Sequence, residues 1–139
     1  MLNQAQSNKQ WTEQELHAYL ANQTGAHMEA LKPLLRVQLY EVSKLIHTWM
    51  DHQGFWKSEN VGEKLMLITS EIAEAMEADR KDVQKSEHIP NFSGVEEELA
   101  DAVIRILDFA YHYNLRLADA IVAKTHYNLT RQYQHGKKY

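Results

Sequence analysis

Apolar residues recur at intervals of three and four along most of the chain, and no run alternates apolar with polar residues at the period of a strand. Only two prolines and five glycines interrupt it, so the pattern predicts an all-α protein. A first, polar and peripheral helix is expected from Thr12 to Asn22, with Thr12 as N-cap, Glu15 completing a capping box and a break at Thr24–Gly25. A second is expected from about Lys32 or Pro33 to His52, with Leu35, Leu39, Val42, Leu45, Ile46 and Trp49 as its apolar stripe. A third, from about Val61 to Lys81, carries Leu65, Ile68, Ile72, Ala75 and Met76 on its main buried face and Leu67, Glu71, Glu74 and Ala78 on an adjacent flank. A polar loop follows to Asn91. Ser93 and Glu96 then form a capping box for a fourth helix whose apolar face is Val95, Leu99, Ala102, Val103, Ile106, Phe109 and Ala110. The last helix is expected from about Leu117 to Arg131, ahead of a basic tail.

Within this pattern, two pairs of acids stand out. Glu71 with Glu74, and Glu98 with Asp101, are each spaced three apart, so each pair points two carboxylates along one helix face. On a helical wheel Glu98 lies beside Arg105 and Phe109 at the edge of the apolar face, and Asp101 lies next to Asp108 and His112. One such pair alone reads as ordinary solvated charge, and a run like Glu96-Glu97-Glu98 often marks just an N-terminal turn favoured by the macrodipole. Two pairs bordering apolar positions on consecutive helices read differently. If the two faces meet, four carboxylates converge, and their repulsion requires a cation or a proton.

Composition narrows the cation. No cysteine occurs, which leaves oxygen or imidazole as ligands. Carboxylate ligation suits Mg²⁺, with Mn²⁺ as substitute, and such ions commonly hold phosphate groups. A carboxylate-bridged di-iron centre would add Glu-x-x-His, whereas the position three after each leading acid is Glu74 or Asp101. His47, His52, His112 and His126 show no ligand spacing, and no Gly-rich phosphate loop, GxSxG or HExxH is present. The net charge of −4 argues against a general nucleic-acid binder. No stretch is apolar for long enough to span a membrane, and MLNQAQSNKQ lacks the features of a secretory signal, so a cytoplasmic protein is expected. The length suits a single domain over 1–139, with 1–30 as a peripheral extension.

Cations, amides and aromatics mix in the segment from Lys124 to Lys138, a combination suited to a polyphosphate and a base but equally to a solvated basic tail. Trp49, Phe55 and Trp56 are candidates to stack on a base, although aromatics at helix ends are more often core.

Together, "KLMLITSEIAEAMEADRK" and "VEEELADAVIRILDFA" resemble the MazG-like superfamily of all-α nucleoside triphosphate pyrophosphohydrolases, whose hallmark of ExxE, a spacer and ExxD is met by Glu71/Glu74 and Glu98/Asp101. The closing "KTHYNLTRQYQHGKKY" is similar to the end of small members of that superfamily, and the resemblance covers roughly 56 to 139. It implies a four-helix core, here with an extra N-terminal helix, assembled as a homodimer or a dimer of dimers. It also implies Mg²⁺ held by Glu71, Glu74, Glu98 and Asp101, and hydrolysis of (deoxy)nucleoside triphosphates between the α and β phosphates to monophosphate and pyrophosphate. Lys124, Asn128, Arg131 and Tyr133, with Lys64 and Asn60 as weaker candidates, would contact phosphate or nucleotide. Relatives often place a further Glu just before the first motif acid to activate water; here that residue is Ser70, with Glu97 a candidate stand-in. Mg²⁺ itself lowers the pKa of a coordinated water, which would serve without such a base. The alternative is a helical nucleotide- or metal-binding protein, or an interaction module, that does not hydrolyse.

Overall fold

The computed structural model describes residues 11–131. Its described residues form four helices and no strand: α1 (Glu13–His52), α2 (Val61–Arg80), α3 (Gly94–His112) and α4 (Leu117–Leu129). None is long and apolar enough to cross a membrane. The Thr12 capping box is present, with the Glu15 amide donating to Thr12 Oγ1 at 3.2 Å and the Thr12 amide to Glu15 Oε2 at 3.0 Å.

The expected break at Thr24–Gly25 does not occur, and the first two predicted helices are one helix of 40 residues with Pro33 inside it. Gly25 serves packing instead. A Cβ there would stand 3.1 Å from His126 Cε1, so the missing side chain lets the ring of α4 lie against α1. The extra N-terminal helix is therefore the front half of α1, held by the same i→i+4 ladder as the rest.

The chain divides into two compact units. One takes in the described residues up to Arg36 and from Ala118 onward, and the other spans Val37–Leu117. In the first, the front of α1 lies against α4. Val122 and Ala118 are buried there, and Arg36 Nε donates to Asp119 Oδ1 at 2.8 Å.

The second unit is built on an antiparallel pair, α2 with α3. Gly94 meets Ala78, and Arg105 meets Glu71. Rising numbers on one helix thus face falling numbers on the other. Each helix ends in a Schellman turn. Asp82 (φ 54°) and Asn114 (φ 49°) take the left-handed conformation, while the Val83 and Leu115 amides reach back to the Ala78 and Ala110 carbonyls at 3.0 and 2.8 Å. At the start of α3, the Ser93–Glu96 capping box is complete. A Cβ on Gly94 would stand 3.0 Å from both Ala78 Cβ and Val83 Cγ1, so a side chain here would make those neighbours give way.

The seam between α2 and α3 differs from the expected core. Ala75, Ala102, Leu107 and Ala110 are buried, and so is Glu71, but Leu65, Ile72 and Met76 on α2 and Leu99, Val103 and Ile106 on α3 are exposed. On α1, Val42, Leu45 and Trp49 are exposed as well, Leu45 to 71 %. Small residues let the helices approach closely, and the flank bearing Ala75, Ala78 and Glu71 is the small-residue flank of α2. The bulky stripe is consequently left facing out.

Candidate metal centre

Glu71, Glu74 and Glu98 each offer a carboxylate oxygen, and the three lie within 4.8 Å of one another. The antiparallel register produces this: α2 runs up to the loop and α3 runs back, which brings the residues a few positions before Arg80 beside those a few positions after Ser93. Glu71 is 7 % exposed at its side chain, Glu98 half-buried, and Glu74 open to solvent. Asp101 is exposed and falls outside the converging trio, so three of the four expected acids meet and the fourth stands at the rim. It still feels the cluster. Partial burial and then the Glu71 charge raise its carboxyl above the ordinary range, with Arg105 opposing. Glu98 is raised too, first by burial and then by Glu74, Glu97, Glu71 and Asp101.

Oxygen donors from three acids suit a hard divalent cation. Mg²⁺ binds oxygen at roughly 2.1 Å, so octahedral ligands stand about 3 to 4 Å apart, and small side-chain rotations would close the observed spacing. The donor set fits such an ion.

One positive charge already reaches the cluster. Arg105 Nε donates to Glu71 Oε1 at 2.5 Å. This residue belongs to a polar stripe that runs the length of α3, through Glu98, Asp101, Arg105, Asp108 and His112, at steps of three and four. At its far end Asp108 is 9 % exposed at its side chain. It accepts from His47 Nδ1 at 2.7 Å and from Trp56 Nε1 at 2.9 Å, and the Trp56 ring stacks on His112 at 3.6 Å. Between the two ends lies a cavity of about 20 Å³, room for a single water, whose polar lining is Lys64, Arg105 and Asp108. Reading the acids alone missed Arg105, and looking for metal spacing missed His47 and His112. The repeat of polar residues along α3 was the signal for Arg105 and His112, whereas His47 lies on α1.

The remaining candidates have local duties. Lys64 donates to the Phe55 carbonyl and lies 5.0 Å over the Trp56 ring, at the edge of that cavity. Asn60 caps α2, its side-chain oxygen accepting from the Glu63 amide at 3.2 Å. Of the aromatics proposed to stack on a base, Trp56 is buried in the Asp108 network, while Trp49 and Phe55 are exposed. Glu97 lies 2.6 Å from His88 Nδ1, and hydrogen bonds from Ser86 and His88 hold its carboxyl below the ordinary range, so it tethers the loop. Ser70 Oγ donates to the Leu67 carbonyl at 2.8 Å. Lys124, Asn128 and Arg131 belong to the other unit. Lys124 Nζ and Arg131 Cζ lie 4.5 and 5.9 Å from the Tyr127 ring, and Asn128 is exposed beside them. Tyr133 lies outside the described residues.

No family model, no curated protein and no solved structure matches this chain. The functional reading therefore stands on the residues and their geometry.

Proposed function

We propose that the chain is a Mg²⁺-dependent nucleoside triphosphate pyrophosphohydrolase of the MazG-like type, acting on the α–β phosphate bond. The observation that carries this reading is the convergence of Glu71, Glu74 and Glu98 across an antiparallel helix pair, with Asp101 at its rim. Glu71, Glu74 and Glu98 would hold the ion, and Asp101, one turn from Glu98, would complete the set by a rotamer change. Bound Mg²⁺ would clamp the charge developing on the phosphates and acidify the attacking water. Water then breaks the anhydride, leaving monophosphate and pyrophosphate. Lys64, at the cavity edge, is the proposed phosphate contact of this unit, and Lys124, Asn128 and Arg131, which belong to the other unit, are proposed as nucleotide contacts on the resemblance alone.

Self-association belongs to the same reading. Many large apolar side chains on the stripes of α1, α2 and α3 are exposed, Leu45, Leu65, Met76 and Val103 among them, and a second copy would cover them to complete a four-helix core.

Product analysis tests the activity. Purified protein with Mg²⁺ and a panel of standard and modified ribo- and deoxynucleoside triphosphates should release monophosphate and pyrophosphate, and the Glu74→Gln variant should not. A second reading, nucleotide or metal binding without hydrolysis, is favoured by Ser70, whose hydroxyl is turned to the Leu67 carbonyl. Triphosphates that bind with Mg²⁺ or Mn²⁺ but survive intact would select it.

A further inference from the structure

Arg105 stands apart from the other charges of the second unit. A buried carboxylate facing two other acids needs a countercharge, and Glu71 obtains one from α3 through a 2.5 Å contact with Arg105 Nε. Most helical ion pairs link residues one turn apart at the surface, as Glu77 does with Arg80 and Lys81. The Arg105 pair differs in three ways. It crosses between helices, Glu71 is 7 % exposed and Arg105 27 %, and the carboxylate it occupies is one of the three that converge.

A divalent ion on Glu71 would face the guanidinium across a single carboxyl group. Two cations on one buried carboxylate repel strongly, because little water lies between them to screen the charge. The guanidinium also has somewhere to go. Arg105 lines a cavity whose wall also carries the Asp108 carboxylate, an acid outside the metal set. The long, flexible side chain makes such a move without disturbing the backbone.

We propose that Arg105 is an exchangeable counter-ion of the metal centre: it neutralises Glu71 until a divalent cation takes that carboxylate, and binding of the cation breaks the Arg105–Glu71 pair. This rests on the metal-centre reading above. Arg105 thereby sets the metal affinity of the site and spares the empty cluster part of its own repulsion. It is a positioning residue, acting through Glu71.

Two measurements on the full chain test the exchange without relying on turnover. In the first, Mg²⁺ is titrated into wild-type protein while arginine Nε–H signals are followed by NMR, the Arg105 signal being assigned by its loss in Arg105→Gln. The signal should be protected without metal, then shift and exchange faster as Mg²⁺ saturates. In the second, Mn²⁺ affinity is read from the free-ion EPR signal. Arg105→Gln should bind Mn²⁺ about tenfold more tightly than wild type, the scale of a charge-assisted hydrogen bond that no longer has to be broken. Arg105→Lys, which keeps the charge but not the planar fork, should fall between.

A protected Arg105 signal that persists while Mg²⁺ binds would overturn the exchange. So would unchanged or weaker Mn²⁺ affinity in an Arg105→Gln protein of native helicity. If Arg105→Gln does not fold, Arg105→Lys and the wild-type titration decide. Failure of wild type and both variants to bind Mn²⁺ would overturn the metal centre itself, and the exchange with it.

Discussion

The polar stripe of α3 meets a buried acid at each end, its own Asp108 at one and Glu71 of α2 at the other, and the two are satisfied in different ways. At one end Asp108 accepts from the ring N–H groups of His47 and Trp56, themselves packed among His112 and Tyr111. At the other, Glu71, Glu74 and Glu98 converge with one guanidinium among them, and the carboxyls of Glu98 and Asp101 are raised above their ordinary range. The first acid has two ring N–H donors and is closed by aromatic rings. The second group has more acceptors than donors and opens toward solvent at Glu74. A buried acid with its donors in place is an anchor, whereas an under-compensated group is a place where a ligand adds stability.

Breaking the anchor should have the largest effect. Asp108→Ala removes the acceptor shared by His47 and Trp56 and leaves two ring donors without it in a buried place. The expected loss is about 3 kcal/mol, read by urea unfolding, because each orphaned buried donor costs on the order of 1 to 3 kcal/mol. The matching change at the other end, Glu74→Gln, should leave stability unchanged or slightly higher, since it removes charge from a repelling group. Its effect should fall on turnover instead, by about a hundredfold or more, the scale of losing one group that stabilises charge in a transition state. A large loss of stability in Glu74→Gln would put the two ends in the same class.

How far this contrast was legible beforehand differs by element. The limits of α2 and α3 and the Ser93–Glu96 capping box follow from local chemistry, which the chain carries within a few residues. Gly25 misled because a glycine that ends a helix and a glycine that admits a neighbouring ring look alike until His126, a hundred positions on, is placed. The buried face of α2 misled for another reason. Periodicity identifies the side that avoids water, and Leu65, Ile72 and Met76 lie on it, but not whether the same chain covers it. The acid pairs were visible as spacing. Arg105 and the Asp108 network depend on which helix faces meet, and the small residues Ala75, Ala78, Gly94 and Ala102 decide that.

That dependence on small residues gives a smaller, sharper test. Gly94→Ala would bring a Cβ within 3.0 Å of Ala78 Cβ and Val83 Cγ1, pushing the start of α3 away from α2. The expected cost is about 1 to 2 kcal/mol by thermal unfolding, as for modest overpacking, and it exceeds the gain in helix propensity from replacing glycine. Because Glu98 lies one turn from this point, the variant should also weaken Mn²⁺ binding, while the His47–Asp108–Trp56 end at the opposite limit of α3 keeps its near-UV signal. Equal damage at both ends would mean the seam moves as one body.

The mildest probe is pH, and its sign separates the two ends. Glu98 and Asp101 have raised pKa values in the folded chain, so the folded state binds more protons than the unfolded state as these groups titrate. Their contribution to stability is present below the ordinary carboxylate range of about 4 and is lost as pH rises through the elevated values. Glu96 and Glu97 act in the opposite sense, since hydrogen bonds from Ser93 to the first and from Ser86 and His88 to the second lower their pKa values. The clean measurement is therefore a difference. In chelator, the stability of wild type relative to a Glu98→Gln/Asp101→Asn protein should fall as pH rises from about 4 toward 7. Saturating Mg²⁺ should reverse the trend in wild type alone, because the ion binds only ionised carboxylates. A difference that is flat with pH in chelator would mean that Arg105 compensates the cluster as fully as His47 and Trp56 compensate Asp108, and the two ends of the stripe would then be alike.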